Sequence, residues 1–290
     1  MGLTWPIVLA VLFGALLHAG WNTLIKSSGD HELDTALVHF LGGVVALPIM
    51  LWLGPPPAAS WPFIAASLTV HVAYYITLAG AYKHGELGMT YPIMRGSAPL
   101  MVALLSGVVL GEFPSPLAWA GVLGVTFGVA MVGLSHPGEA LHHRRALTYA
   151  LANAVVIMTY TFIDGRGVRI AVGEGGNAFS YVMLLFVLDG LPYPALVLLR
   201  RGRVAHDAIV AYAKQRWLLA TLGGAASIGS YAIALWAMTR APVAAVSALR
   251  ETSVLFATLF GAWLLKERLG PQRLLGALVI VAGVIALRFA

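Results

Sequence analysis

The chain has 290 residues, of which 59% are hydrophobic and only 10% are charged, and it contains 32 glycines and no cysteine. Because an ordinary soluble domain carries about 25% charged residues, this composition excludes a water-soluble enzyme and a disordered protein, and the lack of cysteine excludes disulfides and thiolate chemistry. The formal net charge of +6 comes from 18 basic and 12 acidic residues, and it indicates membrane topology rather than nucleic-acid binding.

Apolar segments long enough to span a membrane fill most of the chain. A helix crosses the bilayer core with about 20 mostly apolar residues, and the apolar runs give ten predicted spans, at residues 5–25, 35–53, 61–82, 88–110, 115–135, 146–165, 177–200, 217–238, 243–265 and 271–288. The stretch at 200–216 is mixed in charge and is interpreted as an amphipathic loop. The first run has no basic region before it and is as long as a full span, so we expect an uncleaved helix rather than a signal peptide. The predicted fold is therefore an all-α integral membrane protein.

The third span carries the strongest local pattern among the first three. Candidate substrate-binding residues begin in the first span with Trp21 and Asn22. In the third span, rings and polar groups recur with helical spacing and share one face, at His71, Tyr74, Tyr75, Leu78 and Tyr82. Such a stripe is typical of a cavity wall that receives an apolar or aromatic group. Hydrogen bonding between helices is the alternative.

The fourth span combines a ring, a cation and two prolines. Tyr91 and Arg95 flank Pro92, and Pro99 follows two turns later. Proline kinks a helix and frees a carbonyl, so Pro92 and Pro99 are interpreted as places where the helix bends during transport. An arginine at bilayer depth costs about 2.5–3.5 kcal/mol on insertion scales, and the fork of donors on Arg95 suits a substrate carboxylate.

The later spans add further polar and ionisable candidates. Those assigned to substrate binding are Tyr160, Tyr231, Ser247 and Arg250. Arg250 either holds a substrate carboxylate or neutralises Glu251 or Asp164. Glu251 and Asp164 are candidate gating or coupling groups. Asp189 stands alone in the seventh span and is a candidate proton-coupling carboxylate, since burial favours the neutral form of such a group.

An internal repeat appears when the sequence is shifted by 155 residues. The matched pairs are Arg95 with Arg250, Leu110 with Leu265, Glu112 with Glu267, Pro116 with Pro271, Gly121 with Gly276 and Gly128 with Gly283. The repeat predicts two five-helix units, at 1–140 and 141–290. Because five is odd, the second unit enters the membrane the opposite way up. Inverted repeats of this kind are a recurring design in secondary transporters, with the substrate near the midplane between the repeats.

The duplicated unit, with its helix-end Glu112, its Pro116 and the glycine-rich helix that follows, resembles the EamA-domain transporters of the drug/metabolite transporter superfamily. The aromatic third span is similar to that of YddG-type aromatic amino acid exporters. The resemblance implies a multi-pass carrier of the inner (plasma) membrane with two inverted repeats around a central cavity. It also implies outward movement of small metabolites, most of all neutral and aromatic amino acids, by alternating access. Export of toxic amphiphilic compounds or of nucleotide-type metabolites is the alternative.

The basic residues predict the orientation. Twelve Lys and Arg residues fall in the connections after the odd-numbered spans, and four lie on the opposite side. The positive-inside rule then places the first set of connections in the cytoplasm and both termini outside. We expect lipid and a small-molecule substrate as partners, no nucleic acid, and a monomer, with a dimer as the alternative.

Two other classes of function compete with transport. Asp30 and Asp34 have the D-x-x-x-D spacing of a Mg²⁺-dependent prenyl-type transferase, but no second acidic cluster accompanies them, and a solvated loop is the preferred interpretation. A passive channel is disfavoured because no rings of like residues are present. No catalytic residue, metal or cofactor is therefore predicted.

Overall fold

The computed structural model describes residues 2–26, 29–84, 87–133, 144–202, 206–264 and 270–290. Within these ranges the chain is helical and contains no strand. The α-helices are α1 (Trp5–Lys26), α2 (His31–Leu53), α3 (Trp61–His84), α4 (Leu87–Leu110), α5 (Pro116–Gly133), α6 (Arg144–Gly173), α7 (Ala178–Asp189), α8 (Pro192–Arg201), α9 (His206–Met238), α10 (Val243–Arg250), α11 (Ser253–Leu264) and α12 (Pro271–Phe289).

Ten stretches of the described residues are long and apolar enough to cross a membrane, and each coincides with a predicted span. The predicted all-α membrane fold is confirmed. Two spans consist of two helices each. The seventh span breaks between α7 and α8, where Gly190 precedes Pro192. The ninth span breaks between α10 and α11 at Glu251 and Thr252, whereas α4 runs unbroken through Pro92 and Pro99.

The prediction of a loop at residues 200–216 is wrong for most of the residues described there, because α9 already begins at His206. The first turns of α9 are held against α2, because the Arg216 guanidinium lies 2.5 Å from an Asp34 carboxylate oxygen. At the end of α8, Arg201 donates to both carboxylate oxygens of Asp30 and also to Glu32. These hydrogen bonds lower the pKa of Asp30 and explain why a mixed-charge sequence is helical here.

The same contacts show which groups the carboxylates of Asp30 and Asp34 bind. Each carboxylate faces an arginine, and Asp30 also accepts a hydrogen bond from the backbone N–H of Leu33 as the N-cap of α2. Within the described ranges, no cluster of three or more His, Asp or Glu residues is suited to a metal ion. The acidic residues therefore connect the start of α2 to α8 and α9.

The two halves of the chain pack through matched elements. Helix α3 packs on α6, and its repeat-related counterpart α9 packs on α1. The fifth and last spans meet along glycines: a Cβ on Gly128 would lie 2.8 Å from the Gly276 carbonyl oxygen, and one on Gly124 would lie 3.1 Å from the Gly283 Cα. Gly124 and Gly128 therefore serve an internal helix contact. The predicted boundary at residue 140 lies outside the described residues, and the division stays a prediction.

Candidate functional site

A cavity of about 140 Å³ lies between the two halves of the helix bundle. Its wall contains eleven of the residues proposed from sequence, namely Trp21, Asn22, His71, Tyr74, Tyr75, Tyr91, Arg95, Tyr160, Asp189, Tyr231 and Arg250. Trp21, Asn22 and Tyr91 lie near the ends of their spans that face the basic connections, whereas Tyr231 and Arg250 lie nearer the opposite ends of theirs.

The third-span stripe forms one wall of this cavity. The His71 ring stacks on Tyr160 with centroids 4.9 Å apart, and Tyr74 meets the edge of Tyr160 at 6.3 Å. Tyr75 lies edge-on to Tyr74 at 5.6 Å. Because α3 and α6 belong to different halves of the chain, this cluster forms only when the repeats pack together. The described part of the stripe thus combines the two interpretations, since the rings both line a cavity and join helices.

Arg95 forms an ion pair with an acidic residue from another span. Its Nε lies 2.8 Å from the Glu251 Oε2, and both side chains are buried, with 8% and 5% exposed. The two residues come from α4 and from the break after α10. Since both charges are removed from water together, the loss of either partner alone would leave an uncompensated buried charge. The geometry assigns Arg95 a structural partner that its sequence neighbours do not show.

Arg250 is the other cation of the cavity wall. Its guanidinium lies over the Tyr231 ring, 5.1 Å from the centroid. Among the described residues no carboxylate lies within ion-pair distance of it, and Glu251, its neighbour in sequence, pairs with Arg95 instead. A guanidinium on an aromatic face keeps its fork of donors available. The Trp21 indole N–H also lines the cavity and is buried without a hydrogen-bond acceptor among the described residues.

Asp189 lines the cavity from the end of α7. Its Oδ2 is 3.0 Å from the His39 Nδ1 and accepts a hydrogen bond of 3.3 Å from the Tyr75 hydroxyl. Behind Tyr75 lies Tyr193, with its ring tilted by 33° and the ring centroids 5.0 Å apart. The sequence around Asp189 suggested an isolated carboxylate. In the structure Asp189 belongs instead to a hydrogen-bonded cluster that faces the cavity.

Asp164 lies behind the cavity wall rather than on it. It is fully buried, and its carboxylate accepts hydrogen bonds from Ser67, Tyr181 and Tyr231. These donors come from α3, α7 and α9, so one carboxylate links three helices to α6.

Several predicted residues lie elsewhere. Ser247 is buried within α10, and Glu251, Pro92 and Pro99 also do not line the cavity. The side chain of Tyr82 lies outside the described residues. The cavity also contains residues not selected from sequence, namely His18, His39, Leu185, Phe186, Ser227 and Ser230. The membrane-embedded histidines His18 and His39, together with Ser230 directly before Tyr231 and Ser227 one turn before it, are signals that point to four of these six.

A second cavity, of about 700 Å³, opens on the side of the molecule that carries both termini. At its wall the Glu112 Oε1 lies 2.6 Å from an Arg169 nitrogen, and Glu112 Oε2 accepts a hydrogen bond from the Val243 backbone N–H. Arg169 also donates to the carbonyl oxygens of Met238 and Ala241. The helix-end Glu112 of the repeat motif thus binds the N-terminus of α10, where an anion is favoured.

Helix α10 separates the two cavities. Its residues 243–249 are all buried; Ala244 and Ala245 line the second cavity, and Arg250 lines the central one. Eight residues of α-helix span about 12 Å. A short buried helix thus stands between the two cavities.

Comparison with known proteins agrees with this architecture. The chain matches the sequence profile of the EamA-like transporter family over residues 5–134 and 145–289. A solved structure described only as the crystal structure of a protein has a TM-score of 0.69 to this chain at 17% sequence identity, and the match covers 97% of this chain and 94% of that one. At this identity the likeness shows the fold alone.

Proposed function

The chain belongs to the EamA-like transporter family and is a multi-pass membrane transporter of small molecules, and from this premise we propose that it exports amino acids with neutral or aromatic side chains. The substrate crosses through the central cavity by alternating access, as in the YddG-type exporters that the sequence resembles. The protein acts as a monomer in the inner membrane, with the basic connections in the cytoplasm.

The observation that carries this proposal is the combination of Arg250 with the aromatic walls. Arg250 offers a guanidinium with no described carboxylate partner, which suits the carboxylate of an amino acid. Around it, Tyr74, Tyr160 and Tyr231 offer ring faces and hydroxyl groups, which suit an apolar or aromatic side chain. A cationic amphiphile has no carboxylate for Arg250 and finds a like charge there instead.

The experiment is an efflux panel in proteoliposomes. Purified protein is reconstituted with amino acids, nucleosides or cationic dyes inside, and efflux is followed with and without a pH gradient. We expect neutral and aromatic amino acids to leave faster than from protein-free vesicles. Movement of a dye or a nucleoside with no amino acid moved would refute the substrate class while leaving the membrane fold intact.

The wall formed by Tyr74 gives a prediction about selectivity. Replacing Tyr74 with Leu removes a ring next to Tyr75 and Tyr160, and aromatic pairs contribute about 0.5–1.5 kcal/mol beyond area burial. Half-maximal concentrations for aromatic substrates should rise by about 2- to 12-fold, with a smaller rise for alanine. Tyr149→Leu is the matched control, because Tyr149 stacks on His84 away from the cavity. Equal losses for alanine and tryptophan would count against this aromatic wall.

A further inference from the structure

We propose that the buried carboxylate of Asp164 is the proton-binding site of the transport cycle. This inference rests on the proposed carrier function and adds the coupling ion to it. Asp164 differs from the other intramembrane carboxylates described, because Glu251 pairs with Arg95 and Asp189 pairs with His39.

Among the described residues, the surroundings of Asp164 contain hydroxyl donors and no counter-ion. Its Oδ1 accepts a hydrogen bond of 2.9 Å from Tyr181, and its Oδ2 accepts one of 2.9 Å from Ser67 and another from Tyr231. No lysine or arginine of the described ranges lies within ion-pair distance of it. A buried anion that lacks a counter-charge is costly even when it is hydrogen-bonded. Binding a proton removes that charge without moving a helix.

Two hydroxyl groups connect Asp164 with the central cavity. Tyr231 lines the cavity and donates directly to the carboxylate. Ser67 is fully buried, but it lies one turn from His71, which also lines the cavity. The His71 Nδ1 is 2.8 Å from the Ser67 carbonyl oxygen and 3.4 Å from the Ser67 hydroxyl oxygen. A proton can thus reach Asp164 from the cavity through polar groups alone.

The transfer along His71 and Ser67 conserves protons. His71 starts with its single proton on Nδ1. A hydronium ion in the cavity gives a proton to the Nε2, so that His71 becomes an imidazolium and a water molecule remains. The Nδ1–H bond then breaks and its proton joins the Ser67 hydroxyl oxygen, while the original Ser67 proton leaves for the Oδ2 of Asp164. The products are a neutral His71 with its proton on Nε2, an unchanged serine and a neutral carboxylic acid. One proton has moved from the cavity to Asp164.

Tyr231 connects this proton to the substrate. While Asp164 is ionised, the Tyr231 hydroxyl makes a charge-assisted hydrogen bond, and such bonds are about twice as strong as neutral ones. Protonation of Oδ2 weakens that bond. Because the Tyr231 ring also supports the Arg250 guanidinium, a change at Tyr231 reaches the group proposed to hold the substrate carboxylate.

The other titratable groups near Asp164 leave this assignment intact. Helix α3 presents His71, which belongs to the proton path, and α7 and α9 direct the two tyrosine hydroxyls at the carboxylate. On α6 itself, Tyr160 stacks on His71. Helix α4 carries Arg95, which is paired with Glu251, and α10 carries Arg250 on the ring of Tyr231.

The test counts protons per substrate molecule. Proteoliposomes containing a pH-sensitive dye are given an outward gradient of an amino acid from the efflux panel, and proton movement is recorded together with substrate efflux. Wild-type protein should move protons with substrate. In Asp164→Asn the number of protons per substrate should fall at least tenfold. Asp207→Asn, which changes an exposed carboxylate at the start of α9, should keep the wild-type ratio.

Two results would overturn the proposal. One is substrate efflux by wild-type protein with no proton movement, which leaves the carrier function standing. The other is a normal ratio in Asp164→Asn, whether or not Asp189→Asn loses proton movement. If Asp164→Asn does not transport substrate, the double substitution Ser67→Ala with Tyr231→Phe decides the matter, because it removes both hydroxyls that connect Asp164 with the cavity. A proton ratio reduced at least tenfold in this double variant supports the site, and an unchanged ratio refutes it.

Discussion

Replacing Arg95 with Ala is expected to destabilise the folded protein by about 3–5 kcal/mol, because Glu251 would remain as a buried charge without its partner. The Arg95 Nε and Glu251 Oε2 are 2.8 Å apart and almost fully buried. The pair joins α4 to the break between α10 and α11, so its loss loosens the contact between the two repeats. The free energy of unfolding in mixed micelles, followed by tryptophan fluorescence, measures the change.

The matched variant is the double substitution Arg95→Met with Glu251→Met, which removes both charges and keeps apolar volume. Replacing a buried ion pair with apolar residues is often neutral or stabilising, so the double variant should recover most of the lost stability. If Arg95→Ala unfolds like wild-type protein but loses transport of carboxylated substrates alone, Arg95 is a substrate ligand and the structural assignment is wrong.

Replacing Arg250 with Gln is expected to weaken the binding of carboxylated substrates by about 10- to 150-fold, because hydrogen bonds to charged groups contribute about 1.5–3 kcal/mol. Stability should change little, since Arg250 has no described carboxylate that would be left unpaired. Half-maximal concentrations for amino acid efflux, compared with those for the same amino acids as decarboxylated amines, measure the effect. The amines should not be weakened, because they have no carboxylate for Arg250 to hold.

Arg240→Gln is the matched control for this prediction. Arg240 also lies over an aromatic ring, with its guanidinium 4.7 Å from the centroid of Trp236, but it does not line the central cavity. It should leave the half-maximal concentrations unchanged. An equal loss for amino acids and amines in Arg250→Gln would mean that Arg250 shapes the cavity without holding the carboxylate.

The third-span stripe shows how far helical periodicity carries a prediction. Spacing alone placed His71, Tyr74 and Tyr75 on one face, and all three line the cavity. Spacing did not show that Tyr160 of the second repeat completes this wall. A helix fixes which of its own residues share a face, whereas its neighbours depend on how the helices pack.

The partners of the ionisable residues could not be predicted from the sequence. Glu251 directly follows Arg250, but residues adjacent in a helix do not face each other, and Glu251 pairs instead with Arg95. Asp189 looked isolated because its partner, His39, lies in another span. The repeat identified Arg95 and Arg250 as equivalent positions, but the structure gives them different surroundings. The offset of 155 residues also drew attention to Glu112 without indicating that Glu112 binds the N-terminus of α10.

The sequence by itself determined that this protein crosses a membrane in ten spans, that the chain is duplicated, and which faces carry polar groups. These properties follow from composition and local periodicity, since transfer into lipid and helix geometry act on neighbouring residues. Only the tertiary structure decided which cation is paired, which is available, and which carboxylate is surrounded by neutral donors. In a medium of low dielectric constant these outcomes depend on distances of a few ångströms between helices far apart in the chain, and no single helix contains that information.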